Sequence, residues 1–207
     1  MTPYQVFVSV GTDYHPHDRV ATWLDEWLGG IEGPKPTVLF QHGFTRPSAH
    51  ADNVDFLVYE QLIAAMDAAG AVVVHGGPAT IFEARGLGHQ PICVPRSPAL
   101  GEHVDGHQER FARHLAQDGL VTLVESRADF VSSVQEAVTA PGLRRRAVET
   151  APALAAIGEL DAIIDELMRR RLPCRALAGE RLSRVAAALV GVAVSGAAFK
   201  RTQDSRR

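Results

Sequence analysis

The stretch AVVVHGGPATIFE at residues 71–83 sets His75, Gly76, Gly77, Ala79, Thr80 and Glu83 around one turn between an apolar run and a helix-forming segment. Glycines let backbone N–H groups come close to a ligand. Pro78 suits the first position of a helix, and the N–H groups of a helix start attract phosphate. Two glycines at such a turn also serve tight packing alone, so the pair gains meaning from its company. A hydroxyl follows at Thr80 and a carboxylate at Glu83, which also suits the dipole of a helix start without any ligand. His75 reads either as a strand-end histidine bonded to backbone or as a phosphate-side group. Gly11-Thr12-Asp13 follows an earlier apolar run, Gln41-His42-Gly43 follows another, and GEHVDGHQ at 101–108 carries Glu102, His103, His107 and Gln108. Glu102, His103 and His107 invite a metal reading, but their spacing matches none of the zinc signatures. His15 and His17 flank Pro16 and read as helix-entry residues, with His15 close enough to Gly11 to remain a catalytic candidate.

These groups need a scaffold that brings distant loops together. The β-branched run at 71–74 suits a strand buried on both faces. Strands are predicted over 5–10, 37–41, 71–75, 91–95 and 121–124. Helices are predicted over 18–28, 59–69, 78–86, 104–118 and 128–138. Residues 48–53 read as a polar loop, and Phe56 and Leu57 as buried. Five strands alternating with helices predict an α/β fold with a doubly wound parallel sheet. Its carboxyl edge, where open α/β sheets bind ligands, would carry the loops at Gly11, Gly43 and Gly76.

The chain has 207 residues, enough for one well-buried domain with extensions. A formal net charge of −3 gives no basic surplus for nucleic acid. Cys93 and Cys174 supply no disulfide framework or metal spacing, which suits a reducing compartment. The opening MTPYQVFVSVGT lacks a basic signal-peptide start, so a cytoplasmic location is expected. The expected organisation is a domain over 1–140, a helical extension over 141–172, and an apolar helix with a basic tail over 173–207. Residues 185–199 form an uncharged run of 15 residues that would extend roughly 22 Å as a helix, short of the roughly 30 Å of a bilayer core. Packing against a partner chain and peripheral contact with the inner face of a membrane both suit that run. Arg144–Arg146 read as a solvated face or an anionic-membrane contact.

In order, VFVSVGT (Val6–Thr12), QHG (Gln41–Gly43), HGGPATIFEA (His75–Ala84), PICVPR (Pro91–Arg96) and GEHVDGHQ (Gly101–Gln108) resemble the carboxy-terminal, donor-binding half of GT-B glycosyltransferases of family 28. The stretches span about residues 4–125. Within that family the sequence is similar to stand-alone donor subunits of two-part enzymes. One belongs to the eukaryotic transferase that adds the second N-acetylglucosamine to dolichol diphosphate, and bacterial counterparts serve exopolysaccharide assembly.

The resemblance implies a Rossmann-like single GT-B half and a site for a UDP-sugar. Gly11, Thr12, Gln41, Gly43, His75, Gly76, Gly77, Ala79 and Thr80 would surround the nucleotide diphosphate. Glu83 would accept from the ribose hydroxyls, and Glu102, His107 and Gln108 would hold the transferred sugar. It implies no cofactor and no bound metal. The family usually has glycine where this chain has Ala79, which implies a tighter phosphate approach. The half that binds acceptor and supplies the base is not found in residues 126–207, so a membrane-associated partner subunit is expected, with a homo-oligomer left open. The catalytic residue stays unassigned between His15, His75 and that partner. A nucleotide-sugar binder without transferase activity is the alternative. A GT-B epimerase ranks below it, because that chemistry needs both halves in one chain. A dinucleotide oxidoreductase ranks last, because SVGTDYH replaces the glycine fingerprint after the first strand.

Overall fold

A computed structural model describes residues 4–140. The readings for 141–172 and 173–207, including Cys174 and the run at 185–199, lie outside the described residues. Among the described residues six strands form one parallel sheet: β1 (Val6–Ser9), β2 (Val38–Gln41), β3 (Asp52–Val54), β4 (Ala71–Val74), β5 (Ile92–Cys93) and β6 (Thr122–Leu123). Their order is β3-β2-β1-β4-β5-β6, with Val6 in register with both Val38 and Ala71. Five α-helices accompany them among the described residues: α1 (Asp18–Gly29), α2 (Tyr59–Ala68), α3 (Pro78–Gly86) and α4 (His107–Gln117) lie between strands, β2 runs to β3 without a helix, and α5 (Arg127–Thr139) follows β6.

Strand side chains alternate between faces, and each face has its own helices. Val6, Val8, Ala71, Val73 and Ile92 pack with Leu24 and Leu28 of α1 and Phe130 and Val134 of α5. Phe7, Val72, Val74 and Cys93 pack with Met66 of α2, Ile81 of α3 and Ala112 and Leu115 of α4. Because both faces are covered, β1 and β4 are buried at all four positions, which is why they read as continuous apolar runs. No helix among the described residues is long and apolar enough to cross a membrane.

The strand order reverses direction between β1 and β4. A crevice opens there at the carboxyl ends of the strands, the usual ligand position in this architecture.

Three expectations are corrected. Residues 48–53 are not all loop, because Asp52–Val54 add a sixth strand that, among the described residues, pairs only with β2 at the sheet edge. Asp and Asn disfavour strands, and with one partner and mostly exposed side chains there is no apolar alternation to reveal it. Phe56 is 46% exposed rather than buried, against Phe44 at a ring-centroid distance of 5.5 Å. The helix expected from 104 starts at His107, whose N–H is taken by the Asp105 carboxylate at 2.9 Å.

Candidate functional site

Ser9 interrupts the apolar β1, and its hydroxyl meets Oε1 of Gln41 on β2 at 2.5 Å. Gln41 in turn donates to the Gly11 carbonyl at 3.4 Å. These contacts fix the β1 turn, in which Gly11 adopts φ +79°. Gly43 sits across from it at φ +54°, where a Cβ would lie 2.7 Å from the Gly11 oxygen. Glycine at 43 therefore lets the two loops touch.

On the other side of the crevice, β4 runs into α3 through His75, Gly76 and Gly77. The first helical bond joins Ile81 N–H to the Gly77 carbonyl at 3.2 Å, so the N–H groups of Ala79 and Thr80 precede it and are unpaired donors of a helix start. His75 Nδ1 accepts from Gly77 N–H at 3.1 Å. Gly76 is buried against α4, and a Cβ there would lie 2.7 Å from Gln108 Cβ. It serves close packing and does not line the crevice.

Together these loops enclose a cleft of about 400 Å³, within the usual size of small-ligand sites. Its walls include Ser9, Gly11, Thr12, Asp13, Gln41, His75, Gly77, Pro78, Ala79, Thr80 and Gln108, with Leu57 and Leu62 as an apolar side. Of the residues singled out from sequence, Gly11, Thr12, Gln41, His75, Gly77, Ala79, Thr80 and Gln108 are thus brought together.

The others stand apart. Glu83 is one turn along α3 from Thr80, partly buried, and burial raises its carboxyl pKa. His107 starts α4 beside the cleft, with Nδ1 2.5 Å from Asp105 Oδ1. Glu102 is placed differently from the expected sugar contact. It is 4% exposed, and its carboxylate holds Arg19 Nε at 2.8 Å and Ser97 N–H at 2.9 Å. In this arrangement it braces the loop after β5. His17 precedes α1 as expected but is wholly buried, with Nε2 3.5 Å from Glu102 Oε2. His15 is paired through Nδ1 with Asp13 Oδ1 at 2.6 Å.

Two participants had no role assigned from sequence. Asp13 lines the cleft; burial acts to raise its pKa, but hydrogen bonds from the His15 backbone and ring, with the Arg96 charge, outweigh this and hold it low. Arg96 is 1% exposed. Its guanidinium donates to the carbonyls of Val10 at 2.8 Å, Glu102 at 3.0 Å and His15. The arginine ties the β1 loop to the β5 loop and sets a positive charge behind the cleft. In the sequence Arg96 ends the PICVPR stretch that shares in the family resemblance, with no role of its own attached.

Burial, reinforced by Arg96, lowers His75 from 6.5 to about 4, so the imidazole is neutral near pH 7. Burial also pushes His17 well down, with Arg96 and Arg19 adding to it. Both histidines bind a proton more readily in the unfolded chain. The stability they contribute is therefore complete above the unfolded value of 6.5, and His75's share is lost as pH falls through about 4. Denaturant midpoints should drop between pH 7 and pH 4, and the drop should shrink in His75→Gln. An equal drop in that variant would contradict the buried neutral His75.

The model for the glycosyltransferase family 28 C-terminal domain matches residues 35–155, more than half of the chain. No curated protein matches it. Among solved structures, the calicheamicin glycosyltransferase CalG4 is similar with a TM-score of 0.54 at 15% identity, over 84% of this chain and 44% of that one. The glycotransferase of kitacinnamycin gives a TM-score of 0.50 at 16% identity, over 83% of this chain and 44% of that one. The chain thus spans less than half the length of either, and at these identities the likeness is one of fold.

Proposed function

The chain belongs to the family of glycosyltransferase family 28 C-terminal domains, and from that premise we propose that it is the donor-binding subunit of an inverting glycosyltransferase. It takes a UDP-sugar in the cleft between β1 and β4 and passes the sugar to a lipid-linked or polysaccharide-precursor acceptor. The acceptor is presented by a membrane-associated partner subunit at the cytoplasmic face. The observation that carries the reading is the meeting of the α3 helix start with the Gly11–Thr12 turn across one cleft.

A nucleoside diphosphate sugar has two phosphates to hold, and these are the donors that suit them. The Ala79 and Thr80 N–H groups and the Thr80 hydroxyl face developing charge on the leaving diphosphate, which fixed donors stabilise more than they stabilise the ground state. As the acceptor oxygen bonds to the anomeric carbon, the bond to the diphosphate breaks and UDP leaves. The acceptor's proton passes to a base. Of the two candidates in this chain, His15 is the better base, because Asp13 of the cleft wall pairs with its Nδ1 and so orients the ring as a carboxylate orients a general-base histidine. His75, held near 4, is a poor base and better suited as a neutral hydrogen-bonding wall of the phosphate site.

Glu83 is assigned to the ribose. Glu83→Ala should weaken UDP binding roughly 10-fold, the loss of one hydrogen bond to a charged group, while leaving 2′,3′-dideoxy-UDP binding unchanged. Equal weakening of both nucleotides would remove Glu83 from the ribose.

Transfer itself is tested by following UDP release from a panel of UDP-sugars, with the chain alone and with membranes carrying the partner and acceptor. Release that requires both chain and membranes is expected. Tight UDP-sugar binding with no release under any membrane condition would favour the alternative of a nucleotide-sugar-binding subunit without transferase activity, which a single GT-B-type half can be.

A further inference from the structure

Charge is unevenly placed around the cleft. Among the described residues its wall holds neither Lys nor Arg, and Asp13 supplies its one carboxylate. Oδ1 of that carboxylate takes the His15 main-chain N–H at 2.8 Å and the His15 ring at 2.6 Å. Oδ2 lies 3.4 Å from His103 Nε2. An anion in the wall repels phosphate, whose donors stand at the α3 start, and suits the part of a nucleotide sugar that offers hydroxyls. On the premise of the donor site proposed above, we infer that Asp13 restricts the cleft to donors whose sugar is uncharged and turns away those that carry a uronic acid.

One reason is the lack of a counter-charge. The diphosphate already brings negative charge into a cleft whose donors are neutral N–H and hydroxyl groups, so a carboxylate on the sugar needs a cation of its own. The arginines behind this wall are engaged. Arg96, 1% exposed, gives Nη1 and Nη2 to the carbonyls of Val10, His15 and Glu102, and its Nε is sealed from solvent. Arg19 gives Nε to the Glu102 carboxylate and Nη2 to the Pro95 carbonyl. Arg110 of α4 does not line the cleft; its Nη1 and Glu109 Oε2 each stand 3.4 Å from the place a Cβ on Gly106 would take. The histidines here face carboxylates too: His15 and His103 share Asp13, and His107 Nδ1 is 2.5 Å from Asp105 Oδ1.

The other reason is what Asp13 can accept. An ionised carboxylate takes hydrogen bonds and gives none. His103 Nδ1 accepts from the Asp105 N–H at 3.4 Å, so the neutral ring carries its hydrogen on Nε2, toward Asp13 Oδ2. With its side chain 27% exposed, Asp13 keeps room on Oδ2 for a sugar hydroxyl as well. A neutral hexose or an N-acetylated hexosamine supplies that donor. A uronic acid puts a second anion in place of the hydroxymethyl group, and a site built to pair with a hydroxyl rejects an analogue that lacks it far more strongly than an apolar pocket does. Selectivity of this kind comes from a repulsion set against the wrong ligand.

The test is calorimetric titration of the full chain with matched pairs that differ only in that group: UDP-glucose against UDP-glucuronate, and UDP-galactose against UDP-galacturonate. Ionic strength is held fixed, because salt screens the repulsion. In the pair bound more tightly, the neutral donor should bind about tenfold or more better than its acid. Asp13→Asn, which keeps the shape and removes the charge, should bring the two within about threefold. The ratio inside each protein is the readout, so a variant that binds every nucleotide less well still reports, and the wild-type ratio stands alone if the variant fails to fold. UDP binding together with equal affinity for acid and neutral donors, or a ratio unmoved in Asp13→Asn, would overturn the role of Asp13 and leave the donor site intact. No binding of UDP or of any of the four would overturn both.

Discussion

Replacing Arg96 by methionine is expected to destabilise the fold by about 3–5 kcal/mol and to lower the melting temperature by roughly 10 °C. The guanidinium reaches three main-chain carbonyls, those of Val10, His15 and Glu102, from a position 1% exposed. Methionine fills similar volume but leaves those oxygens without their donor, and each orphaned group costs about 1–3 kcal/mol. Its burial is tolerated because Asp13 and Glu102 lie near enough to favour the charge. Arg96→Lys should recover less than half of the loss, since one ammonium cannot span three carbonyls in fork geometry. Thermal and urea denaturation of the three proteins measures this. A methionine variant melting within about 2 °C of wild type would mean that the three carbonyls find other partners.

How much of this was readable beforehand depended on whether a residue's role was local. The apolar runs of β1 and β4 announced themselves because burial on both faces leaves little room for polar residues. The α3 start was equally plain, since glycine and proline punctuate a helix entry through backbone preferences that act within a few residues. Asp52–Val54 became a strand only through pairing with β2, which no local pattern encodes. Arg96 and Asp13 have partners on other loops, so their roles depend on the sheet order. Glu102 shows the opposite failure. Its motif pointed to a sugar contact, but Arg19, 83 positions earlier in the chain, claims its carboxylate. Gly76 belongs to the motif expected to approach phosphate, but the fold uses its missing side chain to admit Gln108.

Gly11→Ala should reduce UDP affinity at least tenfold and destabilise the domain by about 2–4 kcal/mol. Two effects add. A left-handed backbone at φ +79° strains any residue with a Cβ by about 1–2 kcal/mol. The new methyl would also stand 2.4 Å from His75 Nε2, so the imidazole must leave its place beside Gly77 and Gln108. Moving it deforms the wall on which the diphosphate is expected to rest. Gly86→Ala makes the comparison, because nothing lies within 4 Å of a Cβ there. That substitution should leave binding unchanged and stability the same or up to about 1 kcal/mol higher. Equal UDP affinity in Gly11→Ala and wild type would show that the β1 turn does not contact the nucleotide.

The cleft between β1 and β4 is expected to receive a uridine nucleotide through the α3 helix start. Calorimetric titration of the purified chain with UDP, GDP and UDP-sugars, repeated on Thr80→Val, tests it most directly. Saturable binding of UDP in preference to GDP is expected, weakened roughly 10-fold in the variant by loss of the hydroxyl donor to a charged oxygen. Saturable UDP binding that is indifferent to Thr80 would place the nucleotide elsewhere on the molecule and contradict it.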